Sequence, residues 1–207
     1  MSVFAGTLRI DVQAWRSKSR RLLDGVLIGP LIKVLAKTGV TPNMLSVAGL
    51  GSSVAAAVVL SDGRFIIGGV IVLAGSSLDL LDGALARATN RVSKLGGFLD
   101  SSLDRLADAA VLMGLLAYFV NRGEAQESLV AVAALVGAGT VSYVKARAEG
   151  LGLSCDVGLV TRPERIVLLG VGLLTDQVIV FLYAIAILSF ITAGQRFLHA
   201  AKQLRSE

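Results

Sequence analysis

Four aspartates stand near the middle of the chain in two closely spaced pairs. Asp79 and Asp82 are three residues apart, which places both on one face of a helix. Asp100 and Asp104 are four residues apart and would also share a face. A short connection over residues 88–95 would let the two helices fold side by side, so that the faces converge. Converging carboxylates repel one another unless cations lie among them, and such hard oxygen ligands suit Mg²⁺, Mn²⁺ or Ca²⁺. The spacing predicts a divalent metal site.

The elements that carry these aspartates are predicted to lie in a membrane. Of the 207 residues, 54% are hydrophobic, and the mean hydropathy is +0.73, which is high for a water-soluble domain of this length. Long uncharged runs recur at residues 44–61, 65–78, 128–144 and 177–195. Several are shorter than the roughly 20 residues of a full crossing. Some membrane helices must therefore carry charged residues.

The chain is predicted to be an all-α integral membrane protein with one domain over residues 1–207. A core over residues 43–197 begins after Thr41-Pro42-Asn43, a helix-start signal. Within residues 1–40, basic and apolar residues alternate roughly at helical spacing, which predicts an interfacial amphipathic helix before the core. We expect six transmembrane helices, near residues 43–61, 65–87, 97–121, 126–147, 163–175 and 177–197.

The distribution of positive charge predicts the orientation. With the N-terminus in the cytoplasm, only Arg64 and Arg122 of the 20 Lys and Arg residues fall in the outer connections. Cytoplasmic loops carry the excess of Lys and Arg in membrane proteins. We therefore expect a multi-pass protein of the cell membrane with both termini and the aspartates on the cytoplasmic side.

Composition excludes several other kinds of chemistry. Cys155 is the single cysteine, which excludes an internal disulfide framework and a two-cysteine metal knuckle. His199 is the single histidine and lies near the C-terminus, which disfavours a buried Ser-His-Asp triad. The net charge of +5 could suggest nucleic acid, but aromatic residues make up only 5% and the cations flank apolar runs. We expect membrane lipids as partners and no nucleic acid.

An alternative reading of the aspartates is simple pairing at the membrane boundary. The available partners are the basic residues nearby, Arg87, Arg91, Lys94 and Arg105. An intramembrane carboxylate costs roughly 2.5–3.5 kcal/mol by insertion scales and is functional by default. Pairing explains one aspartate as well as a metal does, but four at these spacings, with Gly83 and Gly96 allowing close backbone approach, favour the metal.

The same residues spell D-x2-D-G-x2-A-R-x8-G-x3-D-x3-D without a departure. This string resembles the signature of the CDP-alcohol phosphotransferase family, and the resemblance extends over most of the chain. It implies an enzyme that transfers a phosphatidyl group from CDP-diacylglycerol to an alcohol and releases CMP. It also implies two Mg²⁺ or Mn²⁺ ions and a homodimer.

The resemblance assigns roles to individual residues. Asp79, Asp82 and Asp100 would hold metal, and Asp104 would complete the site and remove the proton of the acceptor hydroxyl. A carboxylate beside Mg²⁺ is normally a weak base, so the surroundings of Asp104 must orient it or adjust its proton affinity. The positions that would bind the CDP-lipid are Asn43, Ser46, Asp79, Gly83, Arg87 and Ser93. Taken alone, Asn43 could be a helix cap.

A second group of charges concerns the acceptor. The strings S-Y-V-K-A-R-A-E over residues 142–149 and R-P-E-R over 162–165 place four cations at the ends of consecutive helices: Lys145, Arg147, Arg162 and Arg165. They could simply contact lipid headgroups. Beside a metal site, however, so much positive charge favours an acceptor that already bears a phosphate.

These strings look like those of prokaryotic phosphatidylinositol-phosphate synthases, in which the matching cations would bind inositol 3-phosphate. Glycerol 3-phosphate or another polyol phosphate is the alternative acceptor. A cation transporter is a more distant alternative, because acidic residues in membrane helices also mark ion pathways. A degenerate family member without activity is disfavoured by the intact signature.

Overall fold

The computed structural model describes residues 29–205, which form seven helices and no strand. The helices are α1 (Gly29–Leu35), α2 (Pro42–Ser61), α3 (Phe65–Ala88), α4 (Lys94–Asn121), α5 (Ala125–Glu149), α6 (Arg162–Leu174) and α7 (Val178–Leu204). The six predicted core helices are therefore present, as α2 to α7, and each begins within three residues of its predicted start. The largest difference is at the end of α7, which continues to Leu204 instead of ending at residue 197.

Side chains fix the first turns of three helices at one end of the bundle. Thr41 caps α2 by accepting the N–H of Met44 at 3.3 Å. Ser93 caps α4 by accepting the N–H of Gly96 at 3.0 Å. At the start of α6, the carboxylate of Glu164 accepts the N–H of Thr161 at 2.8 Å. These contacts satisfy backbone donors that the helix itself leaves unpaired. We call this end, where α3 ends and α4 and α6 begin, the polar end.

The helices pack around one main apolar core. α2 packs against α3 and α4, α5 against α4 and α7, and the short α6 against α3 and α7. The largest fully buried apolar side chains in this core come from four helices, α2, α4, α6 and α7: Leu60, Leu115, Leu173, Leu182 and Ile185. Ala134 of α5 is also fully buried there. This packing sets the position of α6 relative to the helices that carry the aspartates.

Four of the helices are long and apolar enough to cross a membrane: α2, α3, α5 and α7, among the residues that the structure describes. α4 is long but carries the charges of the acidic motif. α6 has 13 residues, which at 1.5 Å per residue spans only about 20 Å of a hydrocarbon core of about 30 Å. The architecture is that of an all-helical, multi-pass membrane protein.

The amphipathic segment predicted over residues 1–40 lies mostly outside the described residues. Its described part is α1, which places Ile32 in a small buried cluster with Leu45 and Leu85. Leu31 and Val34 of the same helix are exposed. α1 thus contacts the core through one side, next to the polar end.

α2 and α4 approach each other closely at Gly114. A Cβ at this position would lie 2.5 Å from the carbonyl oxygen of Ala57 and 2.6 Å from its Cα. Both neighbouring atoms belong to the backbone, so a side chain at residue 114 could be accommodated only if the helices moved apart. Gly139 in α5 is a useful contrast, because a Cβ there would meet nothing within 4 Å.

We expect Gly114→Ala to lower the free energy of unfolding by about 1–3 kcal/mol, because the added methyl group overpacks the contact between α2 and α4. The matched control, Gly139→Ala, should be neutral or stabilise the protein by up to about 1 kcal/mol through helix propensity. Thermal unfolding in detergent, followed by circular dichroism at the helix signal, measures both. Equal stability of the two variants would contradict this account of the helix contact.

Candidate functional site

The four predicted metal ligands gather at the polar end. Asp79 and Asp82 lie in the last turns of α3, and Asp100 and Asp104 lie in the first turns of α4. One carboxylate of each pair contacts the same guanidinium, since Asp79 of α3 and Asp104 of α4 both lie 2.8 Å from nitrogens of Arg162. α3 and α4 thus bring one carboxylate of each pair to the same place, and the metal site that the spacing predicts stays a prediction.

Arg162, the first residue of α6, lies among these carboxylates. Its Nη2 donates to Oδ2 of Asp79 at 2.8 Å, and its Nη1 forms an ion pair with Oδ1 of Asp104 at 2.8 Å. Its Nε donates to Oδ1 of Asp108 at 3.1 Å. A single guanidinium group thus joins three carboxylates on two helices. Arg162 belongs to the predicted acceptor cations, so one member of that group contacts the predicted metal ligands directly.

Asp108 is a member of the site that the sequence analysis missed. It lies four residues after Asp104 and so continues the acidic face of α4 by one turn. Its Oδ2 forms an ion pair with Nη2 of Arg165 at 3.1 Å, while its Oδ1 holds Arg162. The four-residue spacing from Asp100 through Asp104 was the signal that could have identified it.

Asp82 is oriented by a helix on its other side. Both Asp82 and Ser46 are buried, and the Ser46 hydroxyl donates to Oδ2 of Asp82 at 2.6 Å. Ser46 lies in the first turns of α2, whose start is fixed by Thr41. Asp79 also faces α2, because a Cβ at Gly49 would lie 2.5 Å from its Oδ1. α2 therefore forms one wall of the carboxylate site.

The remaining residues predicted to bind the nucleotide lie around the same end. The Arg87 side chain folds back over Gly83, where a Cβ would lie 3.4 Å from Nη1 of Arg87. Asn43 is exposed and faces the start of α4, since its Oδ1 would be 3.8 Å from a Cβ at Gly96. The alternative that Asn43 caps a helix is wrong, because Thr41 is the cap of α2. Ser93 caps α4.

The four predicted acceptor cations separate into two pairs. Arg162 and Arg165 contact the carboxylate site, as described above. Lys145, near the end of α5, instead pairs with Oδ1 of Asp156 at 2.6 Å and with Oε1 of Glu149 at 3.5 Å. Arg147 is exposed. The ion pair with Asp156 therefore ties Lys145 to the loop that leads to Arg162.

That loop, residues 150–161, is tied to α7 along its length. Arg196 is buried and donates through Nε to the carbonyl of Val157 at 2.9 Å and through Nη1 to the carbonyl of Val141 at 2.8 Å. Thr192 accepts the N–H of Val160 at 3.1 Å. Sequence analysis gave these α7 residues no role. Their contacts fix the path of the chain immediately before Arg162.

The donor set suits a divalent cation. It consists of carboxylate oxygens from two adjacent helices, and these side chains are partly or fully buried. Carboxylate oxygens are ligands that Mg²⁺ and Mn²⁺ prefer. Within residues 29–205, no three acidic, histidine or cysteine side chains are arranged closely enough to hold an ion as they stand. The guanidinium of Arg162 lies between Asp79 and Asp104, so a metal bound by both would have to replace it there.

Comparison with known sequences agrees with the motif. A family model described as CDP-alcohol phosphatidyltransferase matches residues 39–194. An archaetidylinositol phosphate synthase from Pyrococcus horikoshii is 41% identical over 173 residues, which cover 83% of this chain and 89% of that protein.

Comparison with solved structures agrees with the fold. The crystal structure of the Mycobacterium tuberculosis phosphatidylinositol phosphate synthase with CDP-DAG bound matches with a TM-score of 0.78 and 30% identity, covering 84% of this chain and 93% of that chain. A structure of that synthase in complex with manganese and citrate matches with a TM-score of 0.75 and 32% identity, covering 83% and 87%. The likeness therefore extends over nearly the whole helical core.

The ion pair between Lys145 and Asp156 predicts a measurable shift in the pKa of Asp156. The hydrogen bond and the charge of Lys145 hold the pKa of Asp156 below its ordinary value of 3.8. Because this pKa is depressed in the folded protein, the pair stabilises the loop above the ordinary pKa and is lost as the pH falls through the lower, folded-state value. We expect Lys145→Met to raise the pKa of Asp156 towards 3.8.

An NMR titration of ¹³C-labelled aspartate in detergent measures this change. Arg147→Met is the matched control, because it removes a cation two residues away whose side chain is exposed. It should leave the Asp156 titration in place. An Asp156 pKa that is the same with and without Lys145 would mean that another group lowers it.

Proposed function

The chain belongs to the CDP-alcohol phosphatidyltransferase family, and from that membership we propose that it transfers a phosphatidyl group from CDP-diacylglycerol to inositol 3-phosphate, giving phosphatidylinositol phosphate and CMP. The observation that carries the proposal is the position of Arg162. This residue brings a cation suited to phosphate into direct contact with Asp79 and Asp104, two of the carboxylates of the family motif.

The acceptor is inferred from the charge beside the motif. An arginine guanidinium binds a phosphate through two parallel hydrogen bonds, which a neutral alcohol would not need. Arg162 lies in the carboxylate site, Arg165 lies behind it, and Lys145 and Arg147 stand at the end of the preceding helix. The two relatives described above support the same acceptor, since both are named for inositol phosphate products. Their names differ in the lipid, archaetidyl in one and phosphatidyl in the other.

Asp79, Asp82, Asp100 and Asp104 would hold two Mg²⁺ or Mn²⁺ ions. When bound, these ions supply positive charge that neutralises the diphosphate and stabilises the departing CMP. A structure of the M. tuberculosis relative in complex with manganese supports this assignment. The Ser46 hydroxyl would orient Asp82 by donating to one of its oxygens, Oδ2.

The chain's own residues account for the remaining steps. The acceptor hydroxyl oxygen attacks the lipid-side phosphorus, its proton passes to Asp104, and the bond between that phosphorus and the CMP oxygen breaks. Gly83 and Arg87, together with Asn43, Ser46 and Ser93, would bind the CDP part, with Arg87 gripping a phosphate from the cytoplasmic side.

We assign the protein to the cell membrane, with its polar end in the cytoplasm. In this proposal α2 to α7 are six crossings and residues 1–40 lie at the interface. The proposed assembly is a homodimer. The positions of Arg64 and Arg122 support the orientation. Both lie at the opposite end, where the rings of Phe65 and Tyr118 are 4.8 Å apart and Arg122 lies 5.3 Å from the Tyr118 ring. The polar end carries most of the other cations, as cytoplasmic ends do.

The acceptor is tested by offering alternatives separately. Purified protein with CDP-diacylglycerol and Mg²⁺ should release CMP fastest with inositol 3-phosphate, more slowly with glycerol 3-phosphate, and least with free inositol or serine. The reason is that the last two lack the phosphate that Arg162 would bind. Asp104→Asn is the inactive control. Preference for glycerol 3-phosphate would leave the reaction class intact and overturn the acceptor.

The metal is tested by removal and by direct binding. EDTA should abolish CMP release, and excess Mg²⁺ or Mn²⁺ should restore it. Asp100→Asn should weaken Mn²⁺ binding, measured by electron paramagnetic resonance, by about tenfold or more, because a charged ligand is lost. Asp62→Asn, at the opposite end of the bundle, should bind Mn²⁺ like the wild type. Unchanged Mn²⁺ affinity in Asp100→Asn would exclude Asp100 as a ligand.

A further inference from the structure

Asp108 differs from the other carboxylates of the site in what it contacts. Asp79 and Asp104 each contact one arginine, Arg162. Asp108 uses its two oxygens for two different arginines, with Oδ1 on Nε of Arg162 and Oδ2 on Nη2 of Arg165, both at 3.1 Å. Among the described residues, it is the carboxylate that links the two basic side chains of α6 to α4.

The partner on the inner side, Arg165, is almost completely buried. Its side chain is 6% exposed, and its Nη1 has no hydrogen-bond partner within residues 29–205. A buried guanidinium without a counter-charge is costly. Asp108 supplies the anion, and Arg165 in turn fixes Asp108. This pair, of buried Arg165 and partly buried Asp108, forms the base of the site.

The cavity beside this pair is too small for the acceptor. Arg162, Arg165 and Asp108 line a partly open cavity of about 30 Å³, which is room for about one water molecule. An acceptor phosphate must therefore approach from the open side, where Arg162 is the more exposed of the two arginines, at 21%. Arg165, which the sequence analysis placed among the acceptor-binding cations, contacts the site through Asp108.

The contact with Asp108 determines how Arg162 is presented. Asp108 holds Nε, the guanidinium nitrogen nearest the main chain, and leaves the two terminal nitrogens directed towards Asp104 and Asp79. The terminal pair is the part of arginine that binds a phosphate through two hydrogen bonds. Fixing Nε therefore orients the phosphate-binding edge of Arg162 at the carboxylate site.

We propose that Asp108 is a positioning residue for the acceptor: anchored by buried Arg165, it holds Nε of Arg162 and so directs the phosphate-binding edge of Arg162 into the site. The inference rests on the proposed function for the identity of the acceptor. It adds a residue outside the family motif to those that determine acceptor affinity. Asp108 does not itself contact the acceptor or the nucleotide.

The test compares binding of the two substrates. In Asp108→Asn, the Kd for inositol 3-phosphate should rise about tenfold or more, since a charge-assisted contact to Arg162 is lost. The Kd for CDP-diacylglycerol should change less than about twofold. Isothermal titration calorimetry in detergent measures both constants without requiring turnover. Asp108→Glu, which keeps the charge, should restore part of the acceptor affinity. The matched control is Asp176→Asn, at the opposite end of the bundle, which should bind both substrates normally.

A double-mutant cycle with Arg165→Gln separates positioning from general damage. Both residues act on Arg162 in series, so the double variant should lose no more acceptor affinity than the worse single variant. If Asp108→Asn alone does not fold, the double variant replaces it in the comparison of the Kd values of the two substrates, because the double variant buries no unpaired charge. Additive losses, equal weakening of both substrates, or an unchanged acceptor Kd would each overturn the proposal.

The proposed function can fail separately from this inference. If the wild type does not bind inositol 3-phosphate, the proposed acceptor is wrong. Inorganic phosphate then serves as the probe for the same set of variants, since the predicted role of Asp108 concerns the phosphate-binding edge of Arg162. Loss of phosphate binding in Asp108→Asn, with CDP-diacylglycerol binding retained, would still support the role. Retention of both would refute it.

Discussion

The structure depends on balancing charge inside an apolar helical bundle. Carboxylates on α3 and α4 approach one another at the polar end, and the guanidinium of Arg162 joins Asp79, Asp104 and Asp108. Isolated charges in such surroundings are costly, and a charge cluster is stable only when opposite charges meet with good geometry. Apolar packing sets the position of α6, and the charge cluster accounts for the arginine at its first position.

Two further parts of the chain make that position possible. The loop before α6 is held by Thr192 and Arg196 of α7, so Arg162 enters the site from a fixed direction. On the other side, α2 contributes Ser46 to orient Asp82. Close approach of α2 to α4 at Gly114 keeps this wall in place. Residues far apart in the sequence therefore determine the geometry of a site whose motif is local.

The sequence predicted what is local and missed what depends on packing between distant helices. Helix starts could be read from Thr41-Pro42 and from the apolar runs, and the convergence of the aspartates followed from spacing and a short connection. The contact between Arg162 and Asp79 could not be predicted, because the two residues are 83 positions apart and meet only through the packing of α6 against α3. Likewise, the pairing of Lys145 with Asp156 depends on the path of a loop tied to α7. Asp108 is the one missed residue that could have been predicted, because its four-residue spacing from Asp104 continues the acidic face of α4.

Arg162 connects the two halves of the proposed reaction. Asp79 and Asp104 cannot give the same oxygens to a guanidinium and to a divalent ion, so metal at these residues requires Arg162 to release them. A phosphate-bearing acceptor is the anion that can take over its terminal nitrogens while Asp108 retains Nε. In the proposed function, acceptor and metal therefore do not compete. Each satisfies charges that the other releases, and by linkage each should favour the binding of the other. A neutral alcohol would leave the released guanidinium without an anion, which gives a physical reason for selecting a phosphorylated acceptor.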